Sequence, residues 1–306
     1  MVTSKIAEIL VEIFIVMAVG YYVAYIKLVK EEHFKMLADL TILVATPLLI
    51  FYSMYVNYTP ELLKASYKLP LVSSFTVVLT LLISAFIFKL LKVPKEKKNA
   101  LYALSSFSNT IFLGLPINMA LFGDISLPYV ILYDLGHTPL FWTLGIWVLS
   151  DDKSFDVKGL KQILNPSFIS IVLSFMVASL RIYVPEVIMK SAYMIGSIAI
   201  PMALLFIGMN MYVIEKGDLN YLLFIPALIK LILTPLIAFL LVYYLNLPVI
   251  AKKVAVLEAA MPTMITVAIV ARQMSEKNGF ASTVVFIANL LSFLTIPIFL
   301  VLINKL

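Results

Sequence analysis

The chain has 306 residues, of which 62% are hydrophobic and only 13% charged, with a mean hydropathy of +1.04. A soluble domain of that composition would have too little polar surface to face water, and a net charge of +6 is best read as lysines in membrane loops, not as a nucleic-acid surface. The absence of cysteine excludes disulfide frameworks, iron–sulfur clusters and thiolate zinc sites.

A membrane span needs roughly 20 mostly apolar residues, and the charge and turn clusters predict ten of them. The first covers about 6–26. Its opening, MVTSKIAEILVEIF, has acids in the apolar run and no small-residue cleavage site, which marks a span and not a removable signal. Glu8 and Glu12 share a face near its outer end, where water reaches them. The second, about 36–57, has His33 and Asp39 at its inner edge as interface residues. The third, about 68–92, leads into the lysines of 89–98, a topology determinant facing anionic lipid.

The fourth and fifth spans, about 98–122 and 126–149, are followed by a short amphipathic linker, SDDKSFDVKGLKQILN, from Ser150 to Asn165. Beyond it come spans at about 166–184, 188–212, 219–245, 250–272 and 280–304. The chain thus divides into halves at 1–150 and 151–306, each with five spans, and no soluble domain is expected. Five spans per half give the halves opposite orientations, which is an inverted repeat. Weak internal likeness agrees: Pro47-Leu-Leu-Ile-Phe-Tyr-Ser-Met54 resembles Pro201-Met-Ala-Leu-Leu-Phe-Ile-Gly-Met209. Lys27, Lys30 and Lys35, then the lysines of 89–98, then Lys153, Lys158 and Lys161 fall on one side, which puts both termini outside. Trp142, Trp147, Tyr21 and Tyr22 sit near span ends as an interfacial belt.

Two spans are interrupted in corresponding places. Ser105 to Pro116, SSFSNTIFLGLP, puts hydroxyls, an Asn, a Gly and a Pro inside the fourth, and Glu258 to Thr263, EAAMPT, does the same in the ninth. Lipid cannot satisfy the backbone groups freed by a break, so such segments line a cavity or are buried in protein. Proline removes a donor and frees carbonyls, and freed carbonyls with half-helix ends hold a cation or an anionic group. Kinks of this kind also occur without function, and Ser or Thr often bond back to their own helix. A mirrored pair points to a binding site.

Ionisable residues inside spans are costly and are read as site residues first. Lys230 lies near the middle of the eighth span, Asp134 and His137 near the middle of the fifth, and Glu258 just before the ninth span's break. Asp134, His137 or Glu258 would relay a proton or bind a cation, and Lys230 would meet a substrate carboxylate. The alternative is structural: Lys230 neutralises Asp134 or Glu258 as a buried pair.

Asn109-Thr-Ile-Phe-Leu-Gly-Leu-Pro-Ile117, with Leu121-Phe-Gly123 and Tyr133-Asp134, resembles the fourth and fifth spans of the auxin efflux carrier family. Ile200-Pro-Met-Ala-Leu-Leu-Phe-Ile-Gly-Met209, Glu258-Ala-Ala-Met-Pro-Thr263, Ala281-Ser282 and Ile296-Pro297 resemble later segments of it, in order, over essentially the whole chain. The family is similar in fold to the bile acid/sodium symporters. The resemblance implies an all-α membrane protein with ten transmembrane helices, two inverted five-helix repeats, and broken crossover helices four and nine. It puts Asn109 and Thr110 on one arm of the crossover and Pro262 and Thr263 on the other. PIN-type auxin transporters have a proline where this chain has Ser108, so the first break would be opened by its hydroxyls, Gly114 and Pro116. Their long cytosolic loop is absent, so phosphorylation control of that kind is not expected.

The expected function is a secondary active or facilitative carrier in the cell membrane. It would move a small organic anion, an auxin-like acid or small carboxylate, by alternating access at the crossover. No cofactor, metal or nucleic acid is expected, membrane lipid is its surrounding partner, and Na+ or H+ is the candidate coupling ion. Relatives resemble dimers, so a homodimer is open, although no GxxxG motif argues for it. A channel is the alternative, followed by an intramembrane enzyme. The enzyme reading is disfavoured by two histidines, no cysteine and no GxSxG elbow, and no P-loop supports ATP-driven pumping.

Overall fold

The computed structural model describes residues 2–57, 59–150, 164–213, 221–274 and 280–306. The linker at 151–163, with Lys153, Lys158 and Lys161, lies outside the described residues, as do the loops holding Lys216 and Lys277. The described residues are helical apart from short connections and one isolated antiparallel bridge. Six helical stretches among them are long and apolar enough to cross a membrane: Glu8–Tyr25, Glu31–Asn57, Pro60–Leu90, Glu186–Tyr212, Tyr221–Tyr244 and Phe280–Lys305.

What these helices turn outward identifies their solvent. Along α1 (Val2–Tyr25), Val11, Ile15, Val19 and Tyr22 are exposed, while Leu10, Ile13 and Met17 are buried. Both faces are apolar, so the outer one faces lipid. The helix Leu69–Leu90 is polar inward: Leu71, Phe75, Leu82 and Phe86 are exposed, while Thr76, Thr80 and Ser84 are buried. Those three hydroxyls donate to Val72 O, Thr76 O and Leu81 O at 2.7–2.9 Å, so they are satisfied within their own helix.

The contacts divide the chain into two units, each built from three stretches. The first comprises Met1–Tyr67, Ile111–Ile131 and Ile163–Val213. Its α1 packs along α2 (Ala199–Val213) through a reciprocal pair of glycines: a Cβ on Gly20 would strike the Leu205 carbonyl, and one on Gly208 would strike the Met17 carbonyl. Tyr212 closes one end of this pair against Tyr21 and Tyr25, with ring centroids 5.4 and 6.0 Å apart. Elsewhere in the unit, the Tyr55 hydroxyl donates to Ile182 O at 3.3 Å and accepts from the Val184 amide at 3.2 Å.

The second unit comprises Lys68–Thr110, Leu132–Gln162 and Ile214–Leu306. It contains the non-helical breaks at 107–109 and 261–264. The helix α3 (Lys95–Ser106) ends before an extended stretch at Phe107, after which helical structure resumes at Thr110–Phe122. The helix α4 (Val249–Ala260) ends before Met261, and α5 (Ile265–Met274) resumes after Met264. The helix spanning 127–149 carries Asp134 and His137 and has a π-helical turn at Phe141–Gly145. A Cβ on its Gly136, which lies between those two residues in sequence, would strike the Pro70 carbonyl, so this helix and Leu69–Leu90 approach backbone to backbone.

Candidate functional site

The second interruption is dictated locally. A residue before proline is pushed out of the α region, and Met261, preceding Pro262, is extended at φ −63°, ψ 145°. Proline also lacks the amide that would continue the ladder.

The first interruption has no proline of its own. Phe107 is extended at φ −96°, ψ 121°, and the stretch 107–109 is held by the other break. Ser108 and Thr263 form the antiparallel bridge. The Asn109 amide donates to Pro262 O at 2.8 Å, and the Met264 amide donates to Phe107 O at 3.0 Å. Each extended stretch supplies what the other lost when its helix stopped, which is how irregular backbone survives away from water.

Side chains take up further groups freed at the breaks. The Ser108 amide donates to His137 Nε2 at 2.9 Å. An acceptor Nε2 puts the proton of a neutral imidazole on Nδ1. The Thr263 hydroxyl donates to Leu104 O at 2.7 Å, a carbonyl released by the end of α3. Lys230 Nζ donates to Ala259 O at 2.7 Å, a carbonyl released by the end of α4. Thr110 and Thr138 both donate to Asp134 Oδ1, at 2.7 and 2.8 Å.

Burial separates these groups. His137, Lys230, Glu258 and Thr263 are fully buried, and Ser108, Asn109 and Thr110 nearly so. Asp134 is half-buried. Glu258 lies within electrostatic reach of Lys230 and of the Tyr133 ring hydroxyl. Asp134 is held by hydroxyls. Phe107 walls the site, its ring centroid 5.6 Å from that of His137 and 5.2 Å from that of Phe141.

Asn109, Thr110, Pro262, Thr263, Lys230, Asp134, His137 and Glu258 all belong to the second unit. Gly114 and Pro116 are corrected: neither interrupts the backbone. Gly114 is right-handed helical at φ −63° and ends the π-helical turn Thr110–Gly114, and Pro116 follows it inside the continuous helical stretch Thr110–Phe122, so the helix is widened there but not stopped. The sequence reading did not include Thr138, Phe107 or Thr234, whose hydroxyl donates to Ile229 O at 3.2 Å. Only Thr138 had a signal, its i+4 spacing from Asp134.

Replacing His137 with Leu leaves the Ser108 amide buried without an acceptor. The expected cost is about 1–3 kcal/mol, a fall in Tm of roughly 2–6 °C in a circular-dichroism melt. His137→Gln keeps an acceptor oxygen and should lose less; equal losses would mean that packing, not the bond, matters.

The family model described as Membrane transport protein matches residues 5–155 and 153–300. An uncharacterized transporter of Methanocaldococcus jannaschii is 28% identical over 304 residues, covering 95% of this chain and 96% of the relative. An uncharacterized transporter of Methanothermobacter thermautotrophicus is 24% identical over 298 residues, covering 95% and 96%.

Proposed function

The chain belongs to the membrane transport protein family, that of the auxin efflux carriers, and we propose that it carries a small organic anion across the cell membrane by alternating access. The observation that supports this most is the crossed pair of breaks, Ser108 against Thr263, with amide-to-carbonyl bonds running both ways. Broken helices leave directed backbone dipoles at membrane depth, and a carboxylate is bound there by amides and small polar side chains. Asn109 and Thr110 on one arm, with Pro262 and Thr263 on the other, are the residues we assign to the substrate.

The wider architecture in this reading is ten transmembrane helices in two inverted five-helix repeats, both termini outside. The unit holding the breaks would be the moving body. Sodium and protons are the candidate coupling ions, and a homodimer the candidate assembly.

The test is charge movement in liposomes holding the purified protein, after concentration jumps of a carboxylate panel, with and without sodium and at two pH values. A saturable current is expected. Asn109→Ala should raise the half-saturating concentration about 10- to 100-fold, the loss of one hydrogen bond to a charged group. Saturable current unaltered by Asn109→Ala would remove that residue from the site. Silence across the panel in folded protein would remove the organic-anion reading.

A further inference from the structure

We propose that the small organic acid this chain carries also bears an ammonium group: the site takes an amino acid, with its ammonium on Asp134 and its carboxylate at the break beside His137. The inference rests on the reading of the crossed breaks as the transport site, and it narrows the substrate class of that site.

Asp134 is a carboxylate in need of a cation. It sits near the middle of the helix spanning 127–149, where an ionised group is costly unless it meets a partner or a water-filled cavity. The Thr110 and Thr138 hydroxyls both donate to Oδ1. Oδ2 has no bond among the described residues, and the residue is only half-buried. The ion pairs among the described residues lie elsewhere, at Lys30, His33 and Lys190. The Lys230 ammonium acts on Glu258 and His137 and donates to Ala259 O. Among the described residues, the groups acting on Asp134 are the two threonines and no cation.

His137 supplies the opposite half. Its Nε2 accepts the Ser108 amide, so Nδ1 carries the proton. That Nδ1–H is fully buried and has no acceptor among the described residues. Buried donors are rarely left unmet, and an exception calls for a ligand or a water.

The two side chains share one helix face, three residues apart, with Cβ atoms about 5–6 Å from each other. Both are tied to the same break, His137 through Ser108 and Asp134 through Thr110. An acceptor for a cation beside a donor for an anion matches the two charged ends of an amino acid. An acid without the amine fits less well. Its charge, about 6 Å from an uncompensated Asp134, would bind about 100-fold more weakly at the effective dielectric of a protein. An ammonium also suits this seat better than a metal ion. Hard cations gather about six oxygens, and among the described residues no three His, Asp or Glu side chains are grouped to hold one. An ammonium is satisfied by one carboxylate oxygen and few further acceptors.

The test is thermal unfolding of the full-length protein in detergent, which does not depend on transport direction. Four pairs are titrated, in sodium and in choline chloride: alanine and propionate, leucine and 4-methylpentanoate, phenylalanine and 3-phenylpropanoate, glutamate and glutarate. At least one amino acid should raise the melt, by about 5 °C at about 100-fold above its Kd. It should bind about 10- to 100-fold tighter than its deaminated partner. Asp134→Asn, which keeps the shape and removes the charge, should erase or reverse that preference. Lost packing alone would weaken both members of a pair alike.

Equal binding within every pair would overturn the proposal, as would silence of all eight compounds. So would an Asp134→Asn protein that keeps the preference. A sodium-specific rise that Asp134→Asn abolishes would also overturn it, by making the carboxylate an ion site. If that variant does not fold, the wild-type pairs decide alone. Deaminated acids that bind while their amino partners do not would overturn the proposal and leave the organic-anion reading standing. A preference for amino acids that Asp134→Asn erases, in a protein that moves none of them into liposomes, would keep the amino-acid seat and remove the transport reading.

Discussion

Lys230→Met is expected to lower stability by about 3–5 kcal/mol, because it leaves Glu258 buried with its compensating charge removed. The same change strips the Lys230 donor from Ala259 O, which lies at the end of a broken helix. For a chain of this size the fall in Tm should be about 6–10 °C. Glu258→Gln placed on top of Lys230→Met should return at least half of it, since the double variant buries no net charge there. That double-mutant cycle separates charge pairing from packing. A Lys230→Met protein as stable as the wild type would show that the fold does not need the ammonium. The charge would then be free for a substrate carboxylate, and lost transport in that stable variant would locate it there.

Gly208→Leu is expected to be comparably damaging in the other unit, at about 3 kcal/mol and a Tm fall of roughly 6 °C. A Cβ at Gly208 would meet the Met17 carbonyl, with the Tyr21 amide nitrogen 2.9 Å away. Both obstacles are backbone and cannot rotate aside. The helices would have to separate, which also loosens Gly20 from Leu205 on the reciprocal side. Lipid provides no hydrophobic force to hold them together, so close backbone packing is what α1 and α2 have to offer each other. Gly123→Ala is the contrasting case: nothing lies within 4 Å of its Cβ, and its cost comes from a φ of 73°. A melt of Gly208→Leu equal to wild type would mean that the helices slide past each other at no cost.

The two glycines also show why a motif search is blind here. GxxxG describes two glycines on one helix, whereas this contact uses one from each of two helices far apart in the chain. Nothing near Gly20 in the sequence names Gly208 as its counterpart.

Much was legible without the structure, and for a common reason. Hydropathy and composition are sums over neighbouring residues, so the membrane character of the chain could be read directly from them. The stop at Met261 is equally local, since Pro262 forbids the α region to the residue before it. The cost of burying charge singled out Lys230, Asp134, His137 and Glu258 before any partner was known.

The partners were another matter. Phe107–Asn109 is extended although no proline requires it, because Pro262 and Met264 complete its hydrogen bonds from a distant part of the chain. Local reasoning therefore moved the break toward Gly114 and Pro116, residues that turn out to be helical. Lys230 could have neutralised either of two acids, and folding brings it to Ala259 O and within reach of Glu258. Membership of the two units is likewise invisible along the chain, since each draws stretches from both halves. Backbone sterics and solvent transfer act between neighbours and can be read in sequence order. Hydrogen-bond pairing, charge compensation and glycine-to-carbonyl contact act between residues that only the folded chain makes neighbours.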